Sequence, residues 1–419
     1  MVFGDQINRQ KSLGQATMNV RHMLTTFIDS VTPSMHASRR ASLQSCVLSC
    51  AHKNHLSITS IGRGIERDSF EKHRIKQADR LLSNTQLHQE LPDIYKHITQ
   101  QLLNEIAQPV LLVDWSDMDP YQKHFLLRAA LVCQGRSLTI YEEVHPLKKK
   151  DKPCTHRQFL RALKDIMPIS CKPVLVTDAG FRCPWFRQVL EMGWDYVGRV
   201  RHQTQYITEA GDWEPCKSLH ANASGKAMWL NKVTLAKSQP FFTNALVLYK
   251  NAAKGRHARN RNGQRKCGHS SLKAAEGWKE PWLLTTSLPV ETEEQANAII
   301  KRYGARMQIE ESFRDQKSAR FGLGMAMHHT HKTKRLTVLV LIGTLACIFL
   351  YLLGLLAKDA GLAKQYQANT ESRRNVLSCV FIGVRILKTG VHYIEFENQF
   401  PITARLRQHT TEYAVRWAA

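Results

Sequence analysis

From Leu336 to Ala357 the chain reads LTVLVLIGTLACIFLYLLGLLA, without one charged residue. A helix over this stretch is apolar on every side, so all of its faces must leave water. Two environments satisfy that demand: a bilayer, which about 20 apolar residues can span, or the centre of a large α/β core. Lys334, Arg335 and Lys358 flank the run as they would flank a membrane span. Nothing else in the chain suggests a membrane, and a basic helix stands just upstream. The reading adopted is a fully buried core helix with no membrane partner.

The sheet that such a helix would cover is legible upstream. PVLLVDWSD (Pro109–Asp117) is a continuous apolar run of strand length that ends in Asp114. HFLLRAALVC (His124–Cys133) and SLTIYEEVHP (Ser137–Pro146), joined by Gln134, Gly135 and Arg136, read as a hairpin on the same sheet. HRQFLRALKDIMP (His156–Pro168) is an amphipathic helix. KPVLVTDAG (Lys172–Gly180) is a second buried strand, ending in Asp178. PWFRQVLEMG (Pro184–Gly193) is a helix opened by proline and closed by glycine, and WDYVGRVR (Trp194–Arg201) is a last strand. This order predicts a mixed α/β domain. The crossover helix lets the Asp178 strand lie parallel to the Asp114 strand. Both aspartates then close adjacent strands at their carboxyl ends, where open α/β sheets place their sites. One such aspartate is ordinarily a cap to the next turn; two side by side make a candidate site.

A third carboxylate follows downstream. YGARMQIEESFRDQK (Tyr303–Lys317) reads as one helix. At about 100° per residue, Tyr303, Arg306, Glu310, Arg314 and Lys317 share an arc of about 80°. A solvated face with pairs such as Glu310 and Arg314 is one reading. A metal-binding carboxylate among cations that hold phosphates is the other. With Asp114 and Asp178, Glu310 completes a set of hard oxygen ligands suited to two Mg²⁺ ions about 3.5–4 Å apart, with Mn²⁺ as substitute. No serine or cysteine nucleophile is needed for that chemistry.

The chain has 419 residues, enough for two or three domains, and a formal net charge of +24. A surface so basic attracts polyanions, nucleic acid first and anionic membrane second. Ten cysteines are scattered without framework spacing, which fits reduced, mostly buried thiols in a reducing cytoplasm. Cys46 and Cys50, near His52 and His55, lack a second ligand pair for zinc. Residues 1–17 are a polar extension without the apolar segment of a signal peptide, read as a disordered arm or as sequence ahead of a true start at Met18.

From Val20 to about Leu103 the pattern is helical. Ser57–Ile65 and Lys72–Asn84 look like a helix-turn-helix, with Ile75, Ala78 and Leu82 inward and Lys76, Gln77, Arg80 and Asn84 outward. A plain amphipathic bundle is the alternative. Gln203 to about Val290 interrupt the α/β pattern with strand-like runs at Lys226–Lys237 and Asn244–Lys250, a basic loop at Lys254–His269 suited to phosphates, and a strand led by Trp282. They read as an inserted β subdomain. The expected division is therefore 1–17, a helical DNA-binding domain at 18–105, a catalytic domain at 106–357 with its insertion at about 203–290, and a basic, helical region at 358–419 that carries no legible motif.

The motifs LLVDWSD with Asp114, LVTDAGF with Asp178, and Tyr303-x2-Arg306-x3-Glu310-x6-Lys317 resemble the D-D-E transposases of bacterial insertion sequences, the insertion-sequence-four family in particular. The resemblance runs from about Met18 to near Val384. It implies a ribonuclease-H-like α/β core with a β-strand insertion between the second aspartate and the glutamate. Asp114, Asp178 and Glu310 would be catalytic and metal-binding, in preference to Asp117, Asp119 and Glu311. Tyr303, Arg306, Arg314 and Lys317 would hold phosphates. Trp282 would stack a base flipped from the duplex. The implied reaction is hydrolysis of one strand at each transposon end, hairpin formation by the freed 3′-hydroxyl, hairpin opening and strand transfer. The implied partners are double-stranded DNA and a second copy of the chain, in a bacterial cytoplasm on the nucleoid. A two-metal nuclease or junction resolvase is the runner-up, and a DNA-binding regulator leaves the carboxylates unexplained.

Overall fold

The computed structural model describes residues 16–418 except 105, 120, 202–203, 210, 251–263, 266, 270, 273–279, 321, 369, 371–373, 391–392 and 397–401. A short strand, β1 (Ala16–Asn19), leads into five helices: α1 (Val20–Val31), α2 (Ala37–Lys53), α3 (Ile58–Gly64), α4 (Glu71–Leu82) and α5 (Thr85–Leu103). Side chains of Asn19, Ser57 and Asn84 accept backbone N–H groups at the starts of α1, α3 and α5, satisfying donors that a helix leaves orphaned. The expected helix-turn-helix pair is α3 and α4. They cross tightly, because a Cβ on Gly62 would lie 2.4 Å from the Ile75 Cα.

The central part contains β2 (Val110–Asp117), β3 (His124–Val132), β4 (Ser137–Pro146), α6 (Pro153–Ile166), β5 (Val174–Thr177), α7 (Cys183–Glu191) and β6 (Asp195–Arg199). There follow β7 (Gln205–Ile207), β8 (Glu214–Pro215), β9 (Met228–Leu235), β10 (Phe241–Tyr249) and β11 (Trp282–Thr286). All ten strands from β2 to β11 form one sheet, in the order β4-β3-β2-β5-β6-β11-β10-β9-β7-β8. β2, β5 and β6 are parallel neighbours, as the crossover helices predict. The large mixed α/β sheet is consistent with a ribonuclease-H-like core.

The insertion read at about 203–290 holds strands β7 to β11, and it is continuous with the main sheet: β11 pairs antiparallel with β6, and its neighbours extend the same sheet. Without β11, β6 would present a row of unpaired backbone groups, and the insertion satisfies them. The basic loop Lys254–His269 lies mostly outside the described residues. The amino-terminal extension does not stop short of the fold, since Ala16 and Thr17 in β1 pair with Phe396 and Glu395.

The remaining elements are α8 (Glu293–Gly304), α9 (Met307–Lys317), α10 (Thr333–Asp359), α11 (Cys379–Lys388), β12 (Tyr393–Phe396) and α12 (Ile402–Ala418). The stretch Tyr303–Lys317 is thus not one helix. At Ala305 and Arg306 the ladder tightens: Arg306 N–H bonds Tyr303 O at 3.0 Å and Ile309 N–H bonds Arg306 O at 3.1 Å. Gly304, the weakest helix former in the stretch, sits at the break. Helix α10 is long and apolar enough to cross a bilayer, yet 94% of its most apolar window is buried in the protein. The carboxy-terminal region packs directly on it, for a Cβ on Gly383 would lie 2.1 Å from the Leu350 carbonyl oxygen. One hydrophobic core runs from Val20 through the sheet and α10 to Leu406, so the expected domain limits at 105 and 357 divide a continuous interior.

An ion pair is buried in that interior. Arg128 on β3 and Glu142 on β4 face each other in register and are almost inaccessible to water. Arg128 Nη2 donates to Glu142 Oε2 at 2.6 Å and to Gln316 Oε1 at 2.5 Å. Tyr95 Oη and Thr344 Oγ1 donate to Glu142 Oε1 at 3.0 and 2.5 Å. Helices α5, α9 and α10 therefore meet the sheet on one charged cluster. Removing one member of a buried pair strands the other charge, at a cost of about 3–5 kcal/mol. Arg128→Met is expected to lose stability on that scale in equilibrium urea unfolding. Adding Glu142→Gln, which keeps an acceptor for Tyr95 and Thr344, recovers part of the loss.

Candidate active site

The parallel register places Val113 opposite Thr177, so Asp114 and Asp178 stand next to each other one residue further on. Asp114 accepts the Trp115 backbone N–H at 2.8 Å, and Asp178 accepts that of Gly180 at 2.8 Å. Glu310 lies in the first turn of α9, above this end of the sheet. Arg306 bridges the elements: Nη1 is 3.4 Å from Asp114 Oδ2, and Nη2 donates to Glu310 Oε1 at 2.5 Å. Asp114 and Arg306 keep only 14% and 15% of their side-chain exposure, whereas Glu310 keeps 39%.

The electrostatics follow from this crowding. Burial, then the charges of Asp178 and Glu310, push the Asp114 carboxyl up to about 7, against the opposing effects of Arg306 and the Trp115 N–H. Burial alone would weaken the charged form of Arg306; Tyr303, Asp114, Glu310 and Asp178 around it reverse that and hold it more firmly protonated. Burial raises the Tyr303 hydroxyl, opposed by Arg306 and Arg199. The Trp282 ring packs edge-on against Tyr303, with centroids 4.9 Å apart.

Lys317 reaches the end of β2, where its ammonium donates to Ser116 Oγ at 3.1 Å and Asp117 Oδ1 at 2.9 Å. Arg314 is not brought to the carboxylates. It is half exposed and pairs with Glu311, which also faces Arg136 at 3.6 Å. The shared helical face thus divides, because Glu311 one turn back offers Arg314 a nearer anion. Lys76 and Arg80 are exposed on α4 and line a groove of about 820 Å³ whose other wall carries Ser38, Ser42 and Ser45 of α2. Cys46 and Cys50 are buried, and burial pushes the Cys46 thiol up to about 12.

Two further residues belong to this neighbourhood. Arg199 follows Gly198, the register partner of Thr177, so it continues the row from Asp178 and engages Tyr303. An apolar strand closed by arginine beside one closed by aspartate was its sequence signal. His156 accepts the Trp115 indole N–H at Nε2 (3.1 Å) and stacks on Phe181 at 5.2 Å, buttressing the segments after Asp114 and Asp178 together. Burial, and secondarily His145, lower its pKa to about 4, so it is neutral with its proton on Nδ1. No sequence pattern marks it.

Three clustered carboxylates suit a hard divalent cation by donor chemistry. Among the described residues, however, no three His, Cys, Asp or Glu side chains stand ready to hold a metal ion, since the Arg306 guanidinium lies between Asp114 and Glu310. A mixed α/β sheet with acids at parallel strand ends and a glutamate on a later helix is consistent with a nuclease-type, nucleic-acid-processing enzyme. The family model of the transposase DDE domain matches residues 105–349. The chain belongs to this transposase family, which acts on DNA in transposition and recombination. No curated protein matches it.

The raised Asp114 pKa has a thermodynamic consequence. A carboxyl whose folded pKa exceeds its unfolded value favours the fold most below the unfolded pKa, and the benefit is lost as pH rises through about 7. In metal-free buffer with chelator, the melting temperature is expected to fall between about pH 4 and 7 in part because of this group. Asp114→Asn should flatten that portion of the profile and be the more stable protein at pH 8.

Proposed function

We propose that the chain is a cut-and-paste DNA transposase of the insertion-sequence-four family, with a likeness to the transposase of transposon ten. The observation that carries the reading is Arg306 held between Asp114 and Glu310 beside Asp178, a knot of acids and one cation at the end of two parallel strands. In this reading Asp114, Asp178 and Glu310 hold two Mg²⁺ ions, or Mn²⁺ in their place. Bound there, the ions supply Lewis acidity and lower the pKa of an attacking hydroxyl.

The chain's own residues do the positioning. Arg306, Tyr303 and Lys317 hold backbone phosphates beside the scissile bond, where charge-assisted hydrogen bonds are strongest. Arg314, turned outward, serves the flanking backbone. Trp282 stacks a base displaced from the duplex when the freed 3′-hydroxyl attacks the opposite strand to form a hairpin. Helix α4 carries end recognition, with Lys76 and Arg80 toward the terminal inverted repeat. Two ends must be joined to one target, so a homodimer is the natural assembly. The working location is the bacterial cytoplasm, on the nucleoid.

The test uses DNA carrying the gene with its flanks, purified protein and Mg²⁺, with products resolved on a denaturing gel. Hairpin-ended fragments that vanish with Glu310→Gln, Asp114→Ala or Asp178→Ala are expected, while end binding persists. Breaks without hairpins would move the reading to a junction-resolving nuclease on the same site. Trp282→Ala should leave the first nick and reduce hairpins by about tenfold or more, given about 1–3 kcal/mol per stacked base. Undiminished hairpins would remove Trp282 from that role.

A further inference from the structure

At the carboxyl end of β6 a cavity of about 660 Å³ opens between the start of α7, the segment after Arg199 and the β9–β10 turn. Ala179 and Phe181, in the loop after Asp178, form its near wall. Four cations line it: Arg182, Arg199, Arg201 and Lys237. Among the described residues, no aspartate or glutamate lines it. Arg199 is engaged by Glu280 at 3.6 Å and by Tyr303. Among the described residues, Arg182, Arg201 and Lys237 have no ion-pair partner. Like charges gathered around a concavity repel one another and focus a positive potential within it, which an anion relieves.

The rest of the lining is not that of a simple anion site. Phe181, Phe186 and Leu235 are buried and give the cavity an apolar floor. Thr204, Gln205, Ser238 and Gln239 add hydrogen-bonding groups at its sides. The volume falls within the range of about 300–1,000 Å³ usual for small-molecule sites. That volume suits one nucleotide. Trp282 does not line it, so it is distinct from the aromatic surface assigned above to a displaced base.

We infer that this cavity binds a single unpaired nucleotide of the DNA strand passing Asp178, with its phosphate on Arg182, Arg201 and Lys237 and its base over the apolar floor. The inference rests on the transposase reading for its choice of DNA as the ligand. Under that reading, strand cleavage and transfer at the proposed site would leave DNA ends that can part from their complement, and Ala179 and Phe181 set the cavity directly after Asp178 in the chain.

The test is fluorescence anisotropy of a dye-labelled thymidine tetranucleotide with the full chain. The double variant Arg201→Gln/Lys237→Gln changes two exposed side chains, and circular dichroism verifies its fold. Its affinity should fall about tenfold, and the slope of log affinity against log salt should become shallower by about 0.7, the value for one phosphate neutralised on a single strand. An abasic tetranucleotide of equal charge should bind the parent protein several-fold more weakly. Unchanged affinity in the double variant, or equal affinity for the abasic strand, overturns the proposal. Glu310-dependent cleavage, measured on the same preparations, separates the two readings: cleavage without this binding refutes the cavity alone, and absence of cleavage on every DNA refutes the transposase reading.

Discussion

A single row of charged residues crosses the centre of the sheet, and the rest of the structure is arranged to make it tolerable. Glu142, Arg128 and Asp114 are register partners on β4, β3 and β2, and Asp178 and Arg199 continue the row past β5 and β6. In-register residues project from one face. Acid, base, acid, acid and base therefore lie side by side beneath α9. The Glu142 and Arg128 end is sealed in the interior, where each charge must be matched by its neighbour and by further hydrogen bonds. The Asp114 and Asp178 end opens at the strand termini. There two acids stand together, and the match on the sheet itself is incomplete.

Helix α9 supplies what the row lacks. Its inner face sets the Phe313 ring 4.8 Å from the Arg128 guanidinium carbon, and Gln316 accepts from Arg128 while donating to the Val340 carbonyl of α10 at 3.3 Å. These contacts fix the helix against both the sheet and the core helix. Its first turn then carries Glu310, with Arg306 just before it, over the open end of the row. The tightened turn at Ala305 and Arg306 lets α8 and α9 turn their side chains separately, so Tyr303 packs with Trp282 and Arg199 while Arg306 reaches Asp114. Rigid burial at one end of the helix is thus the support for a charged, partly exposed group at the other.

Much of this was legible in the sequence because the signals are local. Apolar runs that end in Asp114 and Asp178 announce buried parallel strands, and an uncharged stretch as long as Leu336–Ala357 has only two possible surroundings. What stayed hidden depends on partners far apart in the chain. A helical wheel puts Arg314 beside Glu310, but the competition of Glu311 for it is decided by which face α9 turns to the sheet. The continuity of the insertion with the main sheet depends on β11 finding the free edge of β6, a pairing across more than the whole of β7 to β10. The charged row is invisible for the same reason: Glu142, Arg128 and Asp114 look like unrelated polar residues until register aligns them. His156 carries no pattern at all, since one buried histidine in an amphipathic helix resembles any other.

The charge balance of the molecule and that of its site have opposite signs. The chain carries +24 overall, a field that draws a polyanion toward the surface from a distance. Locally, Asp114, Asp178 and Glu310 outnumber the one guanidinium between them, and the Asp114 carboxyl responds by rising to about 7. Under the proposed function, a phosphodiester steered in by the surface meets acids that repel it until further positive charge is added among them. Arg306 is the part of that charge which the chain provides itself. Because it contacts Asp114 and Glu310 directly, any cation those acids take up must compete with it, and any phosphate it then holds lies within reach of the same acids. Under the proposed function Arg306 would thereby link the occupancy of the carboxylates to the capture of the strand, a role for an arginine at 15% exposure that an uncharged residue, cheaper to bury, would not serve.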